Sequence, residues 1–170
     1  SKNTAAGGTL VRRETENPPL YRAIAVRRKQ TLLRLHSLHT QPAYAFFAEM
    51  FAILAQHQVD IDLVTTSESS IALALDPTCA TSGEDHTLTT SLLTALSSHC
   101  RVEIETGLAL VTLIGNQLHQ GTGVCRDAFA ELDEHAVRMI CHGASNNNLS
   151  FLLPGDAADS AVVALHRRLF

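Results

Sequence analysis

Apolar residues along this chain switch between two rhythms, every second position and every third or fourth, and the switches mark out its elements. Residues 21–26 alternate apolar and polar, a break follows at Arg27-Arg28-Lys29, and 31–38 (TLLRLHSL) alternate again, which predicts two separate strands. Between 43 and 57, Phe46, Phe47, Met50, Phe51 and Leu54 recur at helical spacing and predict a helix packed by its aromatic side. Residues 61–69 and 70–76 alternate with almost nothing between them, the pattern of a hairpin. After a polar loop with Pro77 and Gly83, Leu88, Leu92, Leu93 and Leu96 predict a helix over 86–100, and 101–105 alternate once more. This first half reads β-α-β-β-α-β.

The second half repeats the first. An offset of 78 residues carries Phe51 onto Phe129, and the same offset takes Leu32, Leu35, Ala52, Leu54, His57, Val59, Ser67 and Leu75 onto Leu110, Leu113, Ala130, Leu132, His135, Val137, Ser145 and Leu153. Two copies of one supersecondary unit follow, too long and too few for a solenoid. The second copy shows a strand at 108–116, a helix at 123–135 with Val124, Phe129 and Leu132 inward, strands at 136–144 and 149–155, and a helix at 156–169 with Asp156 near its start. It is one strand short. The unassigned strand at 21–26 supplies the missing one, so the expected fold is α+β: two ferredoxin-like βαββαβ domains, the first inserted within the second.

Composition narrows the function. With 170 residues, 45% hydrophobic, and a formal net charge of -4, the chain has no basic excess to attract a nucleic-acid backbone. Residues 61–68 and 137–144 also lack the stacking aromatics of an RNA-binding sheet. No apolar run approaches a membrane span and residues 1–8 lack the apolar core of a signal peptide, so the expectation is a cytoplasmic protein without nucleic-acid or membrane partners. Cys79, Cys100, Cys125 and Cys141 form no CxxC pair and read as structural thiols. The nine histidines are scattered without HxxxH or HExxH spacing, and Gly115, Gly121 and Gly123 make no phosphate-binding pattern. Neither a catalytic constellation nor a metal site is proposed.

One polar cluster stands out among apolar strands: Asp60, Asp62, Thr65, Thr66, Ser67 and Glu68. Asp62 and Glu68 can hold a cationic amine, while a helix starting near Ala43 offers free backbone N–H groups and the positive end of its dipole to a carboxylate. Together they suit a zwitterionic amino acid with a basic side chain. The bland alternative makes Ser67-Glu68 the hairpin turn and leaves Asp60 and Asp62 as solvated strand residues.

The segments AGGTLV (6–11), TENPPLYRA (15–23), TLLRLHSL (31–38), FFAEMFAILAQH (46–57), DLVTTSE (62–68), LIGN (113–116) and RMICHGAS (138–145) resemble the regulatory region of the lysine-sensitive bacterial aspartokinases, built of two ACT domains. The likeness runs over essentially the whole chain. It implies a linker from a kinase domain at 1–19, a first ACT domain at 30–106, and a second, non-contiguous one made of 20–29 and 107–170. It also implies that this chain alone is not an enzyme. The ATP- and magnesium-dependent phosphorylation of L-aspartate would belong to the missing kinase domain, and no cofactor is expected here.

By resemblance, L-lysine would bind at a homodimer interface formed by the first ACT domain. The backbone N–H groups of Phe46 and Phe47 would meet its carboxylate; Asp60, Ile61, Asp62, Ser67 and Glu68 would surround its amino groups; Thr40 and Ala43 would close the pocket. The family's usual methionine and serine appear here as Thr40 and Ala43, and Asp60 replaces a common neutral hydroxyl. In the second copy Asp62, Ser67 and Glu68 are matched by Ile140, Ser145 and Asn146, so that copy is expected to pack and not to bind. Two rivals stay open at this stage: a structural dimerisation module without ligand, and a sensor of another effector such as threonine.

Overall fold

The computed structural model describes residues 18–38, 41–75 and 88–170. In chain order its elements are β1 (Tyr21–Ser37), α1 (Ala43–Gln56), β2 (Leu63–Thr66), β3 (Ser70–Leu75), α2 (Thr90–Ser97), β4 (Cys100–Gly115), α3 (Val124–Glu131), β5 (Met139–His142), β6 (Asn148–Pro154) and α4 (Ala158–Leu169). Short 3-10 turns at Leu118–Gln120 and Gly155–Ala157 precede α3 and α4. Among the described residues, then, the fold is α+β, with four helices and one six-stranded sheet of order β2-β3-β1-β4-β6-β5.

The main departure from the sequence reading is that strands expected to be separate are continuous. Residues 21–26 and 31–38 are two halves of β1, and 101–105 and 108–116 fall on the single strand β4. The apparent break at Arg27-Arg28-Lys29 is a bulge: register shifts flank Gln30, and Lys29 has a left-handed φ of 61°. An extra residue in a strand swaps which side chains face which side of the sheet. Accordingly, Ile24 and Val26 face helices before the bulge, and Leu33 and Leu35 after it. β4 makes the same switch around Gly107, with Cys100 and Val102 on one side of it and Ala109, Val111 and Leu113 on the other.

The 78-residue repeat thus becomes a pseudo-twofold relation between the two long strands. Arg27 pairs with Leu110 and Leu32 with Glu105, and adding or subtracting 78 turns each pair into the other. Gln30 opposite Leu108 maps onto itself and marks the axis. Each half of the sheet with its two helices forms a lobe. In the first, Phe46, Met50 and Leu54 of α1 and Leu92 and Leu96 of α2 cover Leu33, Leu35, Ile71 and Leu73. In the second, Val124 and Ala128 of α3 and Ala161 and Leu165 of α4 cover Val111, Leu113, Phe151 and Leu153.

The opposite face of the sheet is also apolar at its centre, where Leu32, Ala74, Leu108, Leu110, Met139 and Leu152 form a third cluster. Leu63 of β2 packs against it, and the two edge strands β2 and β5 curl towards each other over it. Four helix expectations are adjusted. Phe129 is 40% exposed instead of inward, because its ring meets Phe151 only edge-on at 5.7 Å, and Ala128 takes the buried position beside it. Helix α3 is shorter than 123–135, and Asp156 belongs to the 3-10 turn before α4. Helix α2 starts at Thr90, where the Thr89 hydroxyl accepts the Leu92 N–H at 3.2 Å as an N-cap, while the expected loop at Pro77 and Gly83, the start at His86, and Cys79 lie outside the described residues.

Candidate functional site

The proposed site residues fall at the two ends of the first lobe. At one end β1 stops at Ser37, whose N–H donates to the Ser69 carbonyl at 2.9 Å and ties the β2–β3 turn to that strand end. The turn is closed by the Ser67 N–H donating to the Ser70 carbonyl at 2.9 Å and by the two hydroxyls at 2.6 Å, leaving Glu68 exposed at its apex. The chain then enters α1 from the same side. Pro42 is the N-cap; with no side chain over the helix end, the Pro42 carbonyl takes the N–H of Ala45 at 3.0 Å and of Phe46 at 3.3 Å. Ala43 opens the helix and is half-buried; Phe46 is buried in the core with the Phe47 ring tilted against it at 6.1 Å. Thr40 lies outside the described residues.

Asp60, Ile61 and Asp62 stand at the other end, beyond the C-terminus of α1. Asp60 is exposed, and Ile61 packs against the lobe's core. The Asp62 N–H donates to the Ala74 carbonyl at 2.9 Å, and one guanidinium nitrogen of Arg27, Nη1, donates to both of its carboxylate oxygens at 2.7 and 2.8 Å. Strand β2 separates the two ends, and the five-residue step from Asp62 to Ser67 covers roughly 16 Å in extended chain. The helix start, Ser67 and Glu68 thus lie together at one end of β2, and Asp60, Ile61 and Asp62 at the other.

An ACT-domain family model matches residues 111–169. Lysine-sensitive aspartokinase 3 of Escherichia coli is 56% identical over all 170 residues, which span 38% of its length. The crystal structure of E. coli aspartokinase III with aspartate and ADP, in the R-state, superposes with a TM-score of 0.87 at 53% identity. That of the enzyme with lysine and aspartate, in the T-state, gives 0.81 at 54%. Each covers 99% of this chain, which in turn spans 38% and 37% of those chains. The chain matches the ACT-domain regulatory region of a lysine-sensitive bacterial aspartokinase.

In the second lobe the segment that corresponds to the entry of α1 is tied down. The position of Thr40 is taken there by Leu118, which is completely buried in the second core, and the segment around it is hydrogen-bonded onto the β5–β6 turn. The Gln117 N–H donates to the Asn147 side-chain oxygen at 3.1 Å, the His119 N–H to the Asn146 carbonyl at 3.4 Å, and the Gly115 N–H to the Asn147 carbonyl at 2.9 Å. Glu68's counterpart Asn146 thus serves the loop through its backbone, and Asp62's counterpart is Ile140.

Burial, with Glu49 nearby, pushes the Cys100 thiol up to about 11, which removes it as a nucleophile. Cys125 and Cys141 are free thiols. Among the described residues no helix is long and apolar enough to cross a membrane.

Sequence reasoning picked out the acidic residues of the first lobe by composition and resemblance. It missed Arg27. The nearest signal was the basic run 27–29, which was read as a strand break; its charge had a partner 35 residues away across the sheet.

Proposed function

We propose that the chain is the amino-acid-sensing half of an aspartokinase, binding L-lysine through its first ACT domain and passing occupancy to the kinase domain of the same parent chain. In this reading residues 30–106 are the sensor, 20–29 with 107–170 form the second ACT domain around it, and 1–19 lead in from the kinase domain. Lysine as pathway end product would favour the state in which the kinase is held inactive, and the substrates L-aspartate and ATP would favour the other by the same coupling free energy. The setting is cytoplasmic.

The observation that carries this reading is the separation of the two groups along β2. A twofold dimer would let one lysine engage both groups, the helix start and Glu68 of one protomer facing Asp60, Ile61 and Asp62 of its partner, and the reverse. The carboxylate of lysine would lie at the start of α1, competing with the long Phe46 N–H to Pro42 bond, and the ammonium groups would lie among the acids. The unmatched second lobe, plugged by Leu118, would frame the sensor.

Complementation tests this arrangement. Asp62→Asn and Glu68→Gln should each weaken lysine binding, since a charge-assisted hydrogen bond contributes about 1.5–3 kcal/mol. Co-refolding the two variants in equal amounts should restore wild-type affinity at about one quarter of the sites, because each mixed dimer holds one intact site and one doubly altered one. Calorimetry showing no recovery on mixing would place both groups in one chain. No lysine binding by the unaltered chain would leave a structural dimerisation module.

A further inference from the structure

We propose that Arg27 is a built-in counter-ion for the effector site: it occupies Asp62 while the effector is absent and is displaced by the effector's ammonium group. The inference rests on the reading of Asp62 as part of a cation subsite. A single nitrogen of Arg27 holds both Asp62 oxygens, at 2.7 and 2.8 Å, so an incoming cation must share or take them. The two partners differ in exposure. Asp62 is anchored through its backbone to Ala74 and its side chain is 21% exposed, whereas that of Arg27 is 54% exposed. An ion pair open to water on one side contributes little by itself, so a ligand cation can compete for the carboxylate.

The pseudo-twofold relation supplies the comparison. Arg27 corresponds to Glu105 and Asp62 to Ile140, while Asp60 corresponds to Arg138. Both lobes link the long strand to the segment before the short edge strand by an ion pair, but with opposite sign. In the second lobe Glu105 accepts from Arg138 at 2.6 Å and from Arg34 at 3.2 and 3.3 Å, a carboxylate held from both sides. That is a fixed strut. The first lobe puts its carboxylate at the candidate site, and its cation comes from the other half of β1, as Glu105 comes to Arg138 from the other half of β4.

This placement has two effects. Arg27 sits on the half of β1 that pairs with Leu110, two residues before the Lys29 bulge, so exchanging it for a ligand cation changes the forces on the strand that leads into the second lobe. It also sets selectivity. Asp62 covered by Arg27 admits a ligand that brings a cationic group to compete for the carboxylate and turns away one that brings none.

The test is calorimetric titration of L-lysine into the whole chain and into Arg27→Gln, Arg27→Lys and Arg28→Gln, each first checked for an intact thermal transition. Arg28 pairs with Asp159 at 2.6 Å and controls for a general change of charge. Arg27→Gln should bind lysine roughly two- to fivefold more tightly, the factor set by an exposed ion pair. Arg27→Lys should stay close to the unaltered chain, and Arg28→Gln should not gain. The Nε–Hε resonance of Arg27, assigned by its loss in Arg27→Gln, should shift towards the solvent-exposed position on saturation with lysine. Lysine binding with no gain in Arg27→Gln, an equal gain in Arg28→Gln, or an unmoved resonance overturns the counter-ion alone. Four folded proteins, none of which binds lysine, overturn the cation subsite and the counter-ion with it.

Discussion

Lys29 and Gly107 occupy equivalent positions on the two long strands and share a left-handed backbone, with φ of 61° and 74°. Glycine adopts this conformation without penalty, whereas a side chain crowds the following carbonyl. Lys29→Gly should therefore stabilise the chain by about 0.5–1 kcal/mol, the relief of strain less the extra entropy of glycine in the unfolded state. An added Cβ at Gly107 meets nothing within 4 Å, so Gly107→Ala should destabilise through the backbone alone. Paired thermal melts check both; a lower midpoint for Lys29→Gly would show that the lysine side chain holds the bulge.

The residue on the pseudo-axis is just as unusual. Gln30 is completely buried, and neither polar atom of its side-chain amide has a hydrogen-bond partner among the described residues. A buried amide left unpaired costs about 1–3 kcal/mol, and its axis partner is Leu108. Gln30→Leu is accordingly expected to raise stability by an amount of that order, measured by urea unfolding. A loss instead would mean that the amide has a partner in solution, such as an internal water.

Leu118 stands at the position that corresponds to Thr40 and is completely buried. Leu118→Ala should cost about 2–5 kcal/mol, and Leu118→Met less than about 1.5 kcal/mol, because only the first opens a cavity. Loss of hydrogen-exchange protection in the second lobe should accompany the alanine variant. An alanine variant as stable as the parent would contradict the plug.

Glu105 gives a pH signature. The Arg138 hydrogen bond, then its charge and the bonds and charge of Arg34, outweigh burial and hold the Glu105 carboxyl below its ordinary value of 4.5. A folded value lower than the unfolded one adds stability that is fully present above the unfolded value and is lost as pH falls through the folded one. Glu105→Gln should be less stable than the parent at pH 7 and converge with it at acid pH, once the folded-state value has been passed and both lack the charge. Equal differences at both pH values would deny the ion pair its contribution.

Much of this fold is legible in the chain. The 78-residue repeat, the buried stripe Phe46, Met50 and Leu54, and the β2–β3 hairpin all rest on periodicity that local sequence carries. Continuity of β1 is not, because Arg27-Arg28-Lys29 has the composition of a loop; the partners that make it a strand, Leu110 and Ala109, lie about 80 residues on. The acids of the candidate site were visible as residues, and their division follows from the four residues of β2 between Asp62 and Ser67. The Arg27 contact was hidden, since a bulge decides which face Arg27 points to, and no periodicity reports a bulge.

A strand that belongs to two lobes also constrains how this chain can change over time. Every substitution in β1 or β4 is tested twice, once by the half of the sheet that carries the acids and once by the half that Leu118 has closed. The closed lobe cannot be discarded as surplus, because its removal would strip Tyr21–Ser37 of the partner that fixes its bulge. The second copy is thus retained for its hydrogen bonds, and the copy that carries the acids inherits its geometry from its sibling.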